Sequence, residues 1–302
     1  MTVLNSNNIS VLLMGGLGNQ MFQYAFIRET SLRRRCNFIL DHRFLLDRSP
    51  RPNFTFRSYS LGMFNLSDHD VIRENYPPGK QYLNILYYLV FNRLRDLRFD
   101  LNAELYLERQ SKTDLDCQND QRRRNFIGYF QDAKYFAGNL DIIQRDFQLK
   151  NFIDEGRAQT EEVIEKKRYS VCLHVRRTDF LSTKDGVVAG IYYKRAVKYI
   201  TDRVPKAQFI VFSDDVGWCR NEFFGLKNFF IVDDRDFKNP LASTVYLMRK
   251  CSGFICSNST FSWWAAYLGG DASKIVVVPE QWNKSVDASG YGSLVQKHWV
   301  II

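Results

Sequence analysis

The hexapeptide His174-Val175-Arg176-Arg177-Thr178-Asp179 gathers one imidazole, two guanidiniums and one carboxylate at the end of an apolar run, residues 169–175. That run reads as a buried strand, entered through the charged Glu165-Lys166-Lys167-Arg168. Side chains alternate along a strand, so His174 and Arg176 share a face and Arg177 takes the other. In open parallel α/β sheets the ligand crevice lies outside the carboxyl ends of the strands. Arginine there offers a permanently charged fork that matches phosphate oxygens. The predicted chemistry is therefore anion binding.

Three further clusters bear on the same chemistry. Ser257-Asn258-Ser259-Thr260 follows an apolar run at 253–256 and precedes a helical stretch, 260–268, closed by Gly269-Gly270. Capping needs one hydroxyl, and here there are four counting Ser262, so hydroxyls and helix amides are expected to converge on phosphate oxygens. Trp263 and Trp264 read as core packing. Near the amino end, Gly15-Gly16-Leu17-Gly18-Asn19-Gln20 joins a strand at 9–14 to a helix expected from Met21 to Arg34, a turn at which backbone can approach a ligand closely. Gly16 and Gly18 begin like a dinucleotide fingerprint, and Asp41 stands where a ribose-binding acid belongs. Met21 occupies the third glycine position, which argues against nicotinamide. Finally, Ser213-Asp214-Asp215 ends a strand at 208–212, where paired acids suit a base edge, a ribose, a metal or a helix cap. No His, Cys and carboxylate set has convincing metal-ligand spacing, so no metal is expected.

The elements that must position these residues alternate in type. Strands are predicted at 169–175, 208–212, 228–232, 253–256 and 274–278, with helices at 192–203, 216–224, 241–249 and 260–268 between them. Such alternation specifies a parallel sheet covered by helices. The amino-terminal half repeats the plan with strands at 9–14, 37–40 and 125–130. An amphipathic helix is expected at 82–97, and 100–125 reads as a charged insertion or surface loop. A length of 302 residues fits two domains. The boundary is placed at 155/156, giving domains 1–155 and 156–302 that face each other across a cleft.

A formal charge of +9 implies an anionic partner. The short basic runs Arg33-Arg34-Arg35, Arg122-Arg123-Arg124 and Lys166-Lys167-Arg168 read as solvated faces. They lack the interleaved aromatics of a nucleic-acid stacking platform. The six cysteines lack metal spacing and read as reduced. The first ten residues have no apolar signal region, and no run of about 18 apolar residues exists. The expected location is the cytoplasm, with peripheral attachment to the inner membrane face as an open alternative. Two rival functions stay open on the residues alone: a nucleotide (NAD)-dependent oxidoreductase resting on Gly16, Gly18 and Asp41, and a basic nucleic-acid-binding protein.

Together GGLGNQMFQYA (15–25), HVRRTDF (174–180), FSDD (212–215) and SNSTFSWWAAYLG (257–269) resemble the bacterial α-1,2-fucosyltransferases of glycosyltransferase family 11, over nearly the whole chain. The resemblance implies a GT-B fold of two Rossmann-like domains, acceptor side first and donor side second. It implies inverting transfer of L-fucose from GDP-β-L-fucose to the 2-hydroxyl of a galactoside, such as lactose, N-acetyllactosamine or a lipid-linked glycan. No metal or cofactor would be required. By the same resemblance Arg176 contacts the donor diphosphate and Asn19 lies beside its phosphates. The expected donor site comprises Gly16, Gly18, Asn19, Arg176, Arg177, Asp214, Ser257, Asn258, Ser259, Thr260 and Ser262. For a general base Asp179 comes first, His174 second and Glu29 last, and a departing phosphate oxygen could serve with no protein base.

Overall fold

The computed structural model describes residues 8–48, 55–68, 70–72, 104–108, 113–151, 153–182, 186–226, 228–271, 273–282 and 294–302, with backbone alone at 70–72, 179 and 182. The predicted helix at 82–97 lies outside the described residues. The chain divides into two compact units, Met1–Gln148 with Gly292–Leu294, and Leu149–Tyr291 with Val295–Ile302.

In the first unit β1 (Ile9–Leu12), β2 (Phe38–Asp41), β3 (Asp70–Ile72), β4 (Leu105–Leu107) and β5 (Asn125–Ile127) form one sheet in the order β3-β2-β1-β5-β4. Every pairing is parallel. The strand at 105–107 corrects the reading of 100–125 as a charged insertion or surface loop. Leu105, Tyr106 and Leu107 align with Asn125, Phe126 and Ile127, and three residues are too few for an alternating pattern to show in the sequence.

The helix Leu17–Arg34 packs on this sheet and buries aromatic residues on its inward face. Phe26 stacks on Phe130 at 3.7 Å and meets Tyr135 edge-on at 5.2 Å. Each fully buried phenyl ring contributes roughly 1.5–3 kcal/mol. This helix begins four residues before the expected Met21, because Gly15 alone, at φ +75°, makes the turn. Its carboxyl end carries Arg33 and Arg34, which suit the negative end of the helix dipole. Arg34 is not solvated as expected. It donates to the carbonyls of Cys117 and Gln118 at 2.7 Å and to that of Arg123 at 2.5 Å, and burial lowers its pKa.

The second unit holds β6 (Ser170–Val175), β7 (Gln208–Ser213), β8 (Phe229–Ile231), β9 (Gly253–Ile255), β10 (Val276–Val278) and β11 (Val300–Ile301). Their order is β11-β10-β9-β6-β7-β8, again all parallel. All six residues of β6 are buried, as a central strand with two covered faces requires. Leu173, Val175, Ala196, Ile200 and Val211 lie in its core, each fully buried. The link at 149–155 is tied to this unit through Asp154. Its carboxylate accepts from the backbone N–H groups of Lys238 and Asn239, which lead into the helix Pro240–Lys250, and from the Ser243 hydroxyl in that helix.

Both sheets grow outward in two directions from an early strand. In the first, β2 and β3 lie on one side of β1, with β5 and β4 on the other. In the second, β7 and β8 lie on one side of β6, with β9 to β11 on the other. The connections leaving the two central strands of such a sheet turn to opposite faces, which opens a crevice at their carboxyl ends. Among the described residues no helix is long and apolar enough to cross a membrane.

Candidate functional site

The sheet order explains how three distant motifs meet in the second unit. β6 lies between β7 and β9, so the hexapeptide after β6 is flanked by Ser213-Asp214-Asp215 and by the segment entering the helix Thr260–Leu268. Val175 pairs with Ser213 in register, which sets Arg176 beside Asp214, each one residue beyond its strand.

Asp214 organises the turn. Its Oδ1 accepts from the Arg177 N–H at 2.9 Å, and its Oδ2 accepts from the Thr178 N–H at 3.2 Å and the Thr178 hydroxyl at 2.5 Å. Oδ2 also pairs with Arg176 Nη1 at 3.2 Å. Arg177 turns away: its Nε meets Asp215 at 3.1 Å, and its guanidinium lies 4.3 Å from the centre of the Trp218 ring. Asp215 also accepts from the Trp218 N–H at 2.9 Å, capping the helix Val216–Glu222. The paired acids thus divide between a turn and a cap, and Arg177 is committed to the second of these. Its place in the expected donor set has no support from this geometry.

On the other flank, His174 is 5% exposed and its Nδ1 lies 2.9 Å from the Ser257 hydroxyl. Burial, and then the positive charge of Arg176, pulls its pKa down to about 4. It is neutral near pH 7. The hydroxyl-rich cap is more committed than its count suggested. Ser259 accepts from the Phe261 N–H, and the Ser262 hydroxyl donates back to the Ser259 carbonyl at 3.0 Å. Asn258 donates to the Gly186 carbonyl at 3.0 Å, and its Oδ1 is buried without a hydrogen-bond partner. Three of the four hydroxyls therefore serve the fold, and Thr260 is the half-exposed one. Convergence of four hydroxyls on one anion does not survive. Trp263 and Trp264 are each 1% exposed, core residues as expected.

In the first unit the glycine turn is held by side-chain amides. Gln20, fully buried, accepts from the Ser60 N–H and donates to the carbonyls of Gly15 and Ser58, each at 2.9 Å. Gln23 accepts from the Met14 N–H at 3.0 Å and donates to the Gly128 carbonyl at 2.8 Å. Asn19 accepts from Gln131 at 2.9 Å. Gly16 is the N-cap with no side-chain cap hydrogen bond, and Gly18 is buried in the first turn. The sequence reading missed Gln20 and Gln23. Two amides three residues apart, one just before and one within the apolar run 21–27 of the helix, were the available signal.

Two acids leave the list of candidates. Glu29 accepts from Arg33 at 2.7 Å and Asn139 at 2.9 Å in the body of the first helix, so its carboxylate is engaged within the first unit. Asp41 is gripped by Arg43 and so is not presented to a ribose. Asp179 opens a short turn, Asp179–Ser182, and its side chain lies outside the described residues. Asp-x-Asp triplets occur at 68–70, 114–116 and 234–236, yet among the described residues no three His, Cys, Asp or Glu side chains gather as a metal site.

The profile of the family described as Glycosyl transferase family 11 matches residues 8–302. The O-antigen biosynthesis glycosyltransferase WbnK of Escherichia coli is 32% identical over 300 residues, covering 90% of this chain and 95% of that protein. The alpha-1,2-colitosyltransferase of Escherichia coli is 28% identical over 302 residues, covering 96% and 97%. Galactoside alpha-(1,2)-fucosyltransferase 1 of Oryctolagus cuniculus is 25% identical over 156 residues, covering 48% and 42%.

Proposed function

The chain belongs to glycosyl transferase family 11, and we propose that it moves L-fucose from GDP-β-L-fucose to the 2-hydroxyl of a terminal galactoside with inversion. The observation that carries this reading is the clamped turn at 176–178. It sets Arg176 at the end of β6, between the turn after β7 and the segment leading into the Thr260–Leu268 helix. Departure of GDP builds negative charge on the β-phosphate, and fixed donors stabilise it without reorganising. Arg176 and the amides at the helix amino end are those donors. No metal or cofactor enters this reading. In it the two units are the domains of a GT-B enzyme, with the donor at the second unit and the galactoside at the first.

His174, neutral and with Nδ1 at Ser257, is assigned to holding the strand end rather than to taking a proton. Asp179, three residues after Arg176, is the proposed base, with a departing phosphate oxygen as the alternative acceptor. The α-1,2-colitosyltransferase relative favours a second reading, a donor carrying colitose, which is fucose without its 3-hydroxyl. Incubation with GDP-fucose and GDP-colitose, each with lactose and N-acetyllactosamine and with EDTA present, separates the two. NMR of the product is expected to show an α-1,2-linked fucose. Transfer of colitose alone would establish the second reading, and transfer from neither donor would overturn both.

A further inference from the structure

We infer that Asp214 is a positioning residue for Arg176, acting on the nucleotide only through that guanidinium. The inference rests on the reading of Arg176 as a phosphate contact. One carboxylate receives two backbone N–H groups and one hydroxyl, and forms an ion pair with the Arg176 guanidinium at 3.2 Å. The two N–H groups and the hydroxyl belong to Arg177 and Thr178, the residues that immediately follow Arg176. Asp214 therefore fixes both the backbone after Arg176 and the head of its side chain. The strand register brings the two segments side by side, since Val175 and Ser213 pair directly.

The energetic logic is preorganisation. An arginine side chain has several rotatable bonds, and ordering it at the moment of binding would weaken the contact. The ion pair is partly shielded, with side-chain exposures of 24% for Arg176 and 17% for Asp214, so it restrains the guanidinium more firmly than a solvated surface pair would. The contact runs through one terminal nitrogen, Nη1, and so orients the group from one side. Arg177, the neighbouring cation, is drawn to Asp215 and Trp218 instead. Adjacent arginines are thus assigned by adjacent acids, one to the ligand and one to the helix cap.

The test is a double-mutant cycle read by calorimetric titration with GDP. Arg176→Ala is expected to weaken GDP binding about 10- to 100-fold, the range for losing a charged hydrogen bond. Asp214→Asn, which keeps the shape and removes the charge, is expected to weaken it about 10-fold. The double variant is expected to bind no more weakly than Arg176→Ala alone. Thr178→Val, which removes one bond of the clamp at an exposed residue, is expected to weaken binding about 2- to 5-fold. Losses that multiply in the double variant would mean that Asp214 acts independently of Arg176, which overturns the inference and leaves the function standing. Unchanged or tighter GDP binding by Asp214→Asn would do the same. No GDP binding by the unaltered chain, or an Arg176→Ala variant that binds normally, would remove the nucleotide reading and this inference together.

Discussion

The two units carry their motifs at the same topological position and hold them by opposite chemistry. In the second unit the turn after β6 is fixed by charge: Asp214 on Arg176, Asp215 on Arg177. In the first, the turn after β1 is fixed by neutral amides, Gln20, Gln23 and the Asn19–Gln131 pair. A charged clamp leaves a guanidinium in place to meet an anion. An amide clamp holds the backbone turn without adding charge. On the proposed function, the contrast gives electrostatic work to the second unit and steric work to the first.

The sharpest way to break that contrast is Arg176→Lys. Charge is retained and the planar fork is lost, so charge alone would keep activity whereas geometry would not. We expect kcat/KM to fall about 10²- to 10³-fold, the scale of removing one donor from a charge-stabilising site. Steady-state transfer assays check it, and near-normal turnover would reduce Arg176 to a point charge. Next in size is Gln20→Ala, the corresponding cut in the first unit. It strips partners from the Gly15 and Ser58 carbonyls and the Ser60 N–H. We expect a loss of about 3 kcal/mol in denaturant unfolding, and a loss below about 1 kcal/mol would show that the turn does not need its amides.

His174 tests the second unit from its buried side. Its folded pKa of about 4 lies below the ordinary 6.5, so on acidification the unfolded chain takes up the proton first. Stability is full above pH 6.5 and falls as pH drops toward 4, with no further loss from this group below that. The whole window is worth about 3–4 kcal/mol. Unfolding measured at pH 7 and pH 4.5 should show a smaller acid loss in His174→Asn, which retains a polar group near the ring Nδ1. An equal loss in both proteins would place the acid sensitivity elsewhere.

The charged half of this contrast was the more legible in the sequence, for a physical reason. Arg176 and Asp214 stand out because charged residues at the ends of apolar runs have no business in a core, and the parallel alternation of strands and helices follows from periodicity alone. The partnerships did not show. Which of two arginines pairs with which of two acids depends on register, and whether a serine binds a ligand or its own helix depends on a rotamer. Ser259 and Ser262 carry the same side chain, yet one caps and the other bonds back to a carbonyl. The strand Leu105–Leu107 was hidden for another reason: its three residues are half-buried at the edge of a sheet, where no pattern has room to develop.

The smallest expected effect bears directly on the steric half. Gly15 and Gly16 look equivalent in the sequence, but only one is demanded by the fold. Gly15 sits at φ +75°, and a Cβ there would come within 2.5 Å of Asn19 Nδ2. Gly15→Ala should therefore cost about 1–3 kcal/mol of stability. Gly16 has φ −76°, and a Cβ on it would meet nothing within 4 Å. Gly16→Ala should cost less, about 0.5–1 kcal/mol, because alanine is a poorer N-cap than glycine. If Gly16 is glycine because a ligand approaches the bare backbone at this helix amino end, the added methyl should still raise KM for the donor. Melting and transfer kinetics on the two variants decide it: a Gly16→Ala enzyme with unchanged KM would leave the first turn with no steric part in binding, and the amide clamp would then serve the fold alone.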